Sequence, residues 1–211
     1  MKAVIFDLDG VLCSTDEFHY KAWKMLSDEK GIVFNRKINE RLRGIGRLES
    51  YKIILDENSS VESDDEMQEA INHKNELYRN FLSVMDFSFV SDEVRNTLIK
   101  LKEKGIKIAV GSSSKNAPYI MKKTYLDKYF EVVVDGSMLS KSKPDPEVFL
   151  KAANLLNVDA VDTLVVEDAV SGVQAALAGG MVALAYHQPE LDMVNERLYK
   201  IENISDVLKF I

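Results

Sequence analysis

The sequence predicts an α/β fold: a mostly parallel sheet with helices on both faces, interrupted by an inserted helical domain. Three observations predict it. Short apolar, β-branched runs recur along the chain, bounded by glycine, proline or polar clusters, and such runs read as buried strands. From residue 86 onward they alternate with helical patterns, which implies parallel strands joined by crossover helices. Between the first run and the second, residues 15–85 show helical periodicity and no convincing strand. The expected division is therefore 1–14 with 86–211 for an α/β core, and 15–85 for a helical insertion.

The first strand is Ala3-Val4-Ile5-Phe6, running into Asp7-Leu8-Asp9-Gly10-Val11. Residues 17–29 place Phe18, Trp23, Met25 and Leu26 at helical spacing. Segments 39–42, 47–55 and 64–84 also read as helices, with a turn at Glu57-Asn58-Ser59-Ser60. The alternation then runs helix 92–104, strand 106–110, helix 115–124, strand 131–134, helix 146–156, strand 163–167, helix 170–178 and strand 181–185. Gly105 and Gly179-Gly180 fall where glycine commonly ends a helix. Ser205 is expected to cap a short closing helix over 205–211.

Composition bounds the function. The 211 residues are 46% hydrophobic, enough for a core domain plus an insertion. A net charge of −7 argues against an electrostatic nucleic-acid binder. The single cysteine, Cys13, cannot form an internal disulfide and reads as a small packed residue. No apolar run approaches membrane-spanning length, and Met1-Lys2 leads directly into the first strand. The expectation is a cytoplasmic, monomeric protein without signal peptide, nucleic-acid partner or membrane partner.

Four strand ends carry chemistry. Asp7 and Asp9 close the first buried run, where acids should pair, coordinate a cation or react. Two clustered carboxylates at the carboxyl edge of a parallel sheet favour a hard cation such as Mg²⁺; the plainer alternative is an acid pair capping a nearby helix. Gly111-Ser112-Ser113-Ser114-Lys115-Asn116 follows the second run, and its hydroxyls and N–H groups can cradle a phosphate or merely cap the next helix. Lys143 lies in Lys141-Ser142-Lys143-Pro144-Asp145-Pro146, a loop stiffened by two prolines. A solvated side chain is the usual state of such a lysine. Glu167-Asp168 ends a further buried run, with Ser171-Gly172 opening a helix.

Asp-x-Asp, Ser, Lys and Glu-Asp in this order, each adjoining a strand, resemble the haloacid dehalogenase-like superfamily of phosphotransferases. The resemblance implies a Rossmann-like parallel core with a helical cap inserted after the first motif. It makes Asp7 the nucleophile that forms an aspartyl-phosphate, and Asp9 the general acid/base, with a pKa raised by its acidic neighbours. It places Mg²⁺ on Asp7, the backbone carbonyl of Asp9 and Asp168, with Glu167 in support. Ser112 and Lys143 would hold the phosphoryl oxygens.

The cap narrows the resemblance to the branch that moves a phosphoryl group within a sugar phosphate. Its features are Asp9-Gly10-Val11 with Ser14, Thr15 and His19 then Ala22-Trp23-Lys24; Leu42-Arg43-Gly44-Ile45-Gly46-Arg47; His73-Lys74-Asn75; and Ser112 to Asn116. By this resemblance Thr15 lies at the hinge, and His19 helps place Asp9. Arg47 binds the distal phosphate, for which a guanidinium fork is well shaped, and Gly44 is among the substrate-binding residues. Lys74 contacts the sugar, and Ser114, Lys115 and Asn116 place the sugar phosphate. Taken singly, His19 also fits a packed helix histidine and Lys74 a solvated face. Arg43 and Gly46 depart from the Lys and Ser common there, and 88–92 lacks the usual Pro-Gly. The expected partner is a small sugar phosphate, interconverted between its glucose 1- and 6-phosphate forms. A sugar-phosphate phosphatase on the same scaffold and a non-catalytic phosphate-sensing domain are the rival functions.

Overall fold

The computed structural model describes residues 1–188 and 190–211. They fall into two compact units, Met1–Ser14 with Asp86–Ile211, and Thr15–Met85.

The first unit is built on six parallel strands: β1 (Ala3–Phe6), β2 (Lys107–Gly111), β3 (Val132–Val134), β4 (Thr163–Glu167), β5 (Val182–Tyr186) and β6 (Leu198–Ile201). Their order is β3-β2-β1-β4-β5-β6, so β1 is central, flanked by β2 and β4. Phe6 is level with Val110 on one side and Val166 on the other. The chain segments beginning at Asp7, Gly111 and Glu167 therefore leave the sheet side by side at its carboxyl edge, where open α/β sheets place ligands.

Four helices of this unit are α5 (Asp92–Glu103), α6 (Ala117–Lys123), α7 (Glu147–Leu155) and α8 (Val170–Ala178). Because side chains alternate across a strand, Ile5, Ala109, Val165 and Ala183 share one face and pack with Phe149 of α7 and Val173 of α8. A Cβ on Gly111 would lie 2.9 Å from the Phe149 ring, so glycine at the end of β2 lets α7 close on the sheet.

The parallel sheet agrees with the sequence reading, and three details differ. β6 was not anticipated: its sequence, Leu-Tyr-Lys-Ile, buries only Ile201, and it is a strand because β5 offers an open edge. Ser205 does not begin the closing helix. That 3₁₀ helix spans Ile204–Phe210 after Asn203, while Ser205 donates from its N–H and hydroxyl to Glu93 on α5, at 3.0 and 2.8 Å. The helix expected from 115 starts at Ala117, because Ser114 and Lys115 belong to the preceding loop.

The second unit contains α1 (Asp16–Lys30), α2 (Arg36–Glu40), α3 (Arg47–Glu57) and α4 (Asp64–Leu82), with α1 and α3 packed on α4. α2 lies earlier than the expected 39–42 because the Asn35 side chain caps it, accepting from the Ile38 N–H at 3.1 Å. Ser63 and Glu66 form a reciprocal capping box at the start of α4. Trp23, Leu26, Tyr51, Ile54 and Ile71 form its core, with the Trp23 and Tyr51 rings stacked at 5.8 Å. Among the described residues no helix is long and apolar enough to cross a membrane.

Candidate active site

The α/β unit gathers its acids around one lysine. Asp7 follows β1 directly and is buried. One of its oxygens accepts from the Asp9 N–H at 2.9 Å, while the other pairs with Lys143. The Lys143 ammonium also donates to Glu167 at 2.6 Å. Lys143 is therefore not the solvated loop cation that its sequence context suggests; it is withdrawn from water between two carboxylates. Burial alone would push its pKa down, but the charges of Asp7 and Glu167 outweigh that and hold it above the ordinary lysine value. The ammonium is thus kept charged.

Glu167 has both oxygens engaged, one by Lys143 and the other by the Ala169 N–H at 2.6 Å. Burial pushes its pKa up against the opposing pull of Lys143. The resemblance gives Glu167 a supporting role beside the metal-holding residues; its oxygens meet the Lys143 ammonium and the Ala169 N–H at the start of α8. Its carboxylate lies against Gly172, where a Cβ would come within 1.8 Å, so the glycine one turn into α8 makes room for it.

Asp168 is buried, and its carboxylate lies against Gly10. A Cβ there would sit 2.0 Å from Asp168 Oδ2, and Gly10 has a φ of +88°. Glycine is thus required twice over, for the backbone turn and for the approach of the acid. Asp7, Asp168 and the backbone carbonyl of Asp9 are all hard oxygen donors, the chemistry that would suit Mg²⁺, a cation usually held by one or two carboxylates plus water or substrate oxygens. No cluster of three His, Cys, Asp or Glu side chains with metal-holding geometry occurs among the described residues. The set implied by the sequence asks for two carboxylates and a carbonyl.

Ser112 is buried beyond β2 and continues the sheet, its N–H donating to the Val134 carbonyl at 2.9 Å. The loop folds on its own hydroxyls. Ser112 Oγ accepts from Ser114 N–H at 3.1 Å, and Ser114 Oγ accepts from Asn116 N–H at 3.2 Å. Asn116 is buried and Lys115 exposed. Asn116, not a serine, stands at the start of α6. Cys13 is buried; burial first, then the charges of Asp9 and Asp7, push its thiol up, so it is a packed, unreactive residue.

The helical unit holds a second cluster. Lys74, on α4, is only 1% exposed. Its ammonium lies 4.7 Å from the Trp23 and Tyr78 ring centres and donates to His19 Nδ1 at 2.8 Å. Cation–π attraction from two rings offsets part of its desolvation. Burial, then the charges of Lys74 and Arg47, hold His19 well below the usual histidine range, so it is neutral and can accept that bond. Arg47 begins α3 and is partly buried; burial lowers its pKa, and the acidic phenol of Tyr78 opposes this. Gly44 adopts a φ of +73° in the preceding loop, and Arg43 pairs with Asp16 at 3.1 Å.

Tyr78 escaped the sequence reading. It stacks on His19 at 4.0 Å, and its hydroxyl shares a 2.7 Å hydrogen bond with Thr15. The available signal was its position four residues after Lys74, on the same helix face. Gln188 was also missed: its side-chain amide donates to the Asp168 carbonyl at 2.5 Å.

Comparison with known proteins accords with this arrangement. The family model for haloacid dehalogenase-like hydrolases matches residues 1–180. The β-phosphoglucomutase of Bacillus subtilis is 40% identical over 190 residues, covering 89% of this chain and 84% of that protein. A phosphorylated carbohydrates phosphatase of Thermotoga maritima is 32% identical over 186 residues, covering 86% and 82%. The crystal structure of a β-phosphoglucomutase from Clostridium difficile superposes with a TM-score of 0.91 at 30% identity, covering 98% of this chain and 93% of that one. With its acids, serine loop and lysine at the carboxyl ends of adjacent parallel strands, the chain belongs to the haloacid dehalogenase-like hydrolase family.

Proposed function

We propose that this enzyme is a Mg²⁺-dependent β-phosphoglucomutase, interconverting β-D-glucose 1-phosphate and D-glucose 6-phosphate through an aspartyl-phosphate and β-glucose 1,6-bisphosphate. One observation carries the reading. Beside the phosphoryl-handling set in the α/β unit, the helical unit has its own cationic set of Arg47 and Lys74, and no carboxylate is paired with Arg47 among the described residues. Hydrolysis of a small phosphate ester needs only the first set. A bisphosphate intermediate carries an anion at each end and calls for a second cationic set.

In this mechanism the Asp7 carboxylate attacks phosphorus as the nucleophile. Lys143 and Ser112 hold the phosphoryl oxygens, and the fixed ammonium offsets charge that grows in the transition state. Asp9 gives its proton to the leaving oxygen and later takes one from the sugar hydroxyl. By the family resemblance Thr15 and His19 help place Asp9. Arg47, with Gly44, holds the non-transferring phosphate, Lys74 the sugar, and Ser114, Lys115 and Asn116 the sugar phosphate. Asp7, the Asp9 carbonyl and Asp168 would hold Mg²⁺, with Glu167 supporting them through Lys143; the bound cation supplies further charge stabilisation to the phosphoryl oxygens.

A sugar-phosphate phosphatase is the second reading, favoured by the likeness to the Thermotoga phosphatase. The two separate in one assay. The protein is incubated with Mg²⁺, β-glucose 1-phosphate and a trace of β-glucose 1,6-bisphosphate, and glucose 6-phosphate and free phosphate are followed together. Glucose 6-phosphate with little free phosphate supports the mutase; free phosphate as the main product overturns it.

A further inference from the structure

We infer that Gln188, which follows β5 and lies outside the acidic set, is a positioning residue that sets the divalent-cation affinity of the site by clamping the peptide after Asp168. The inference rests on the Mg²⁺-dependent reading above. The Asp168–Ala169 peptide is held at both ends. Its carbonyl accepts from the Gln188 side-chain amide at 2.5 Å, and its N–H donates to Glu167 at 2.6 Å.

Side chains from elsewhere are needed because Ala169 occupies the cap position of α8 and has no polar group with which to fix the helix start itself. Glu167 is the last residue of β4, directly before Asp168, and moves with it. Gln188 instead comes from the loop after the neighbouring strand β5 and ties the turn to a separate element. Rotation of this peptide would swing the Asp168 side chain away from Gly10, against which its carboxylate now lies. Groups that orient metal ligands in this indirect way typically change metal affinity by about 10- to 100-fold when removed.

The test is calorimetric titration of Mg²⁺ into metal-free wild type, Gln188→Ala and Gln188→Met, with thermal unfolding of each metal-free protein alongside. Methionine keeps the length and apolar stem but cannot donate. The expected result is Mg²⁺ binding weakened about tenfold or more in both variants, an unchanged metal-free unfolding midpoint, and turnover rescued by excess Mg²⁺. Wild-type affinity in both variants overturns the role of Gln188 while leaving the metal reading intact. Weakened binding that merely follows a fall in metal-free stability also overturns it. A wild-type protein that takes up no Mg²⁺ overturns the metal reading itself, and this inference with it.

Discussion

Lys143 and Glu167 meet at 2.6 Å with side chains 0% and 1% exposed, on segments 24 residues apart. Desolvating two charges offsets much of their attraction, so the pair adds little net stability. Removing one partner is far more costly, because it strands the other in a dry site. Lys143→Ala leaves Asp7 and Glu167 as buried like charges. It is expected to destabilise the fold by about 3–5 kcal/mol and abolish phosphoryl transfer. Glu167→Gln, which keeps shape and leaves Lys143 paired to Asp7, should cost less. Urea unfolding of the two variants ranks them, and equal losses would contradict the asymmetry.

Gly10→Ala is expected to act on the metal site. The added Cβ would overlap the Asp168 carboxylate and force a left-handed conformation costing about 1–2 kcal/mol. Turnover measured against Mg²⁺ concentration should show a raised half-saturation point. An unchanged Mg²⁺ dependence would remove Asp168 from the metal set.

Arg47→Ala should impair the mutase reaction more than hydrolysis of a small aryl phosphate. The aryl ester has no second phosphate for the guanidinium to hold, so uniform binding through Arg47 is lost only with the sugar phosphate. Equal losses in kcat/KM on both substrates would argue against a distal-phosphate role.

His19 predicts a pH dependence of stability. Its folded pKa is depressed, so between that value and the ordinary 6.5 the unfolded chain binds the extra proton. Stability is therefore greatest above 6.5 and falls as the pH drops, by at most about 1 kcal/mol between pH 6.5 and 5.5 from this residue. His19→Asn retains an acceptor for Lys74 without the titration. Unfolding free energies at both pH values should show a smaller drop in the variant. An equal drop would assign the dependence to other groups.

Asp7→Asn should abolish turnover, since the amide does not attack phosphorus, while Lys143 stays paired to Glu167 and the fold is kept. Trapping of phosphoenzyme in this variant, read by intact-protein mass, would remove Asp7 as nucleophile.

Much of the α/β core is written locally. Ala3 to Phe6, Ile108 to Val110 and Thr163 to Val166 are legible as strands because a parallel sheet covered on both faces demands uninterrupted apolar runs. The acids, serines and lysine were legible because polar groups at the ends of such runs are otherwise costly. Other features depend on partners distant in the chain. Leu198 to Ile201 has no strong strand pattern of its own and becomes β6 by pairing with β5. Ser205 looks like a helix cap in isolation but bonds to Glu93, 112 residues away. Strand order, which puts β2 and β4 beside β1, follows from packing and carries no local signal. What the sequence by itself determined is the set of candidate polar groups and most of the elements that carry them. Only the tertiary structure decided that Lys143 is buried between Asp7 and Glu167, that Lys74 lies between two aromatic rings, and that Gln188 holds the Asp168 peptide. Each of these depends on desolvation and on contacts between residues far apart in the chain, and neither is encoded in a single stretch of sequence.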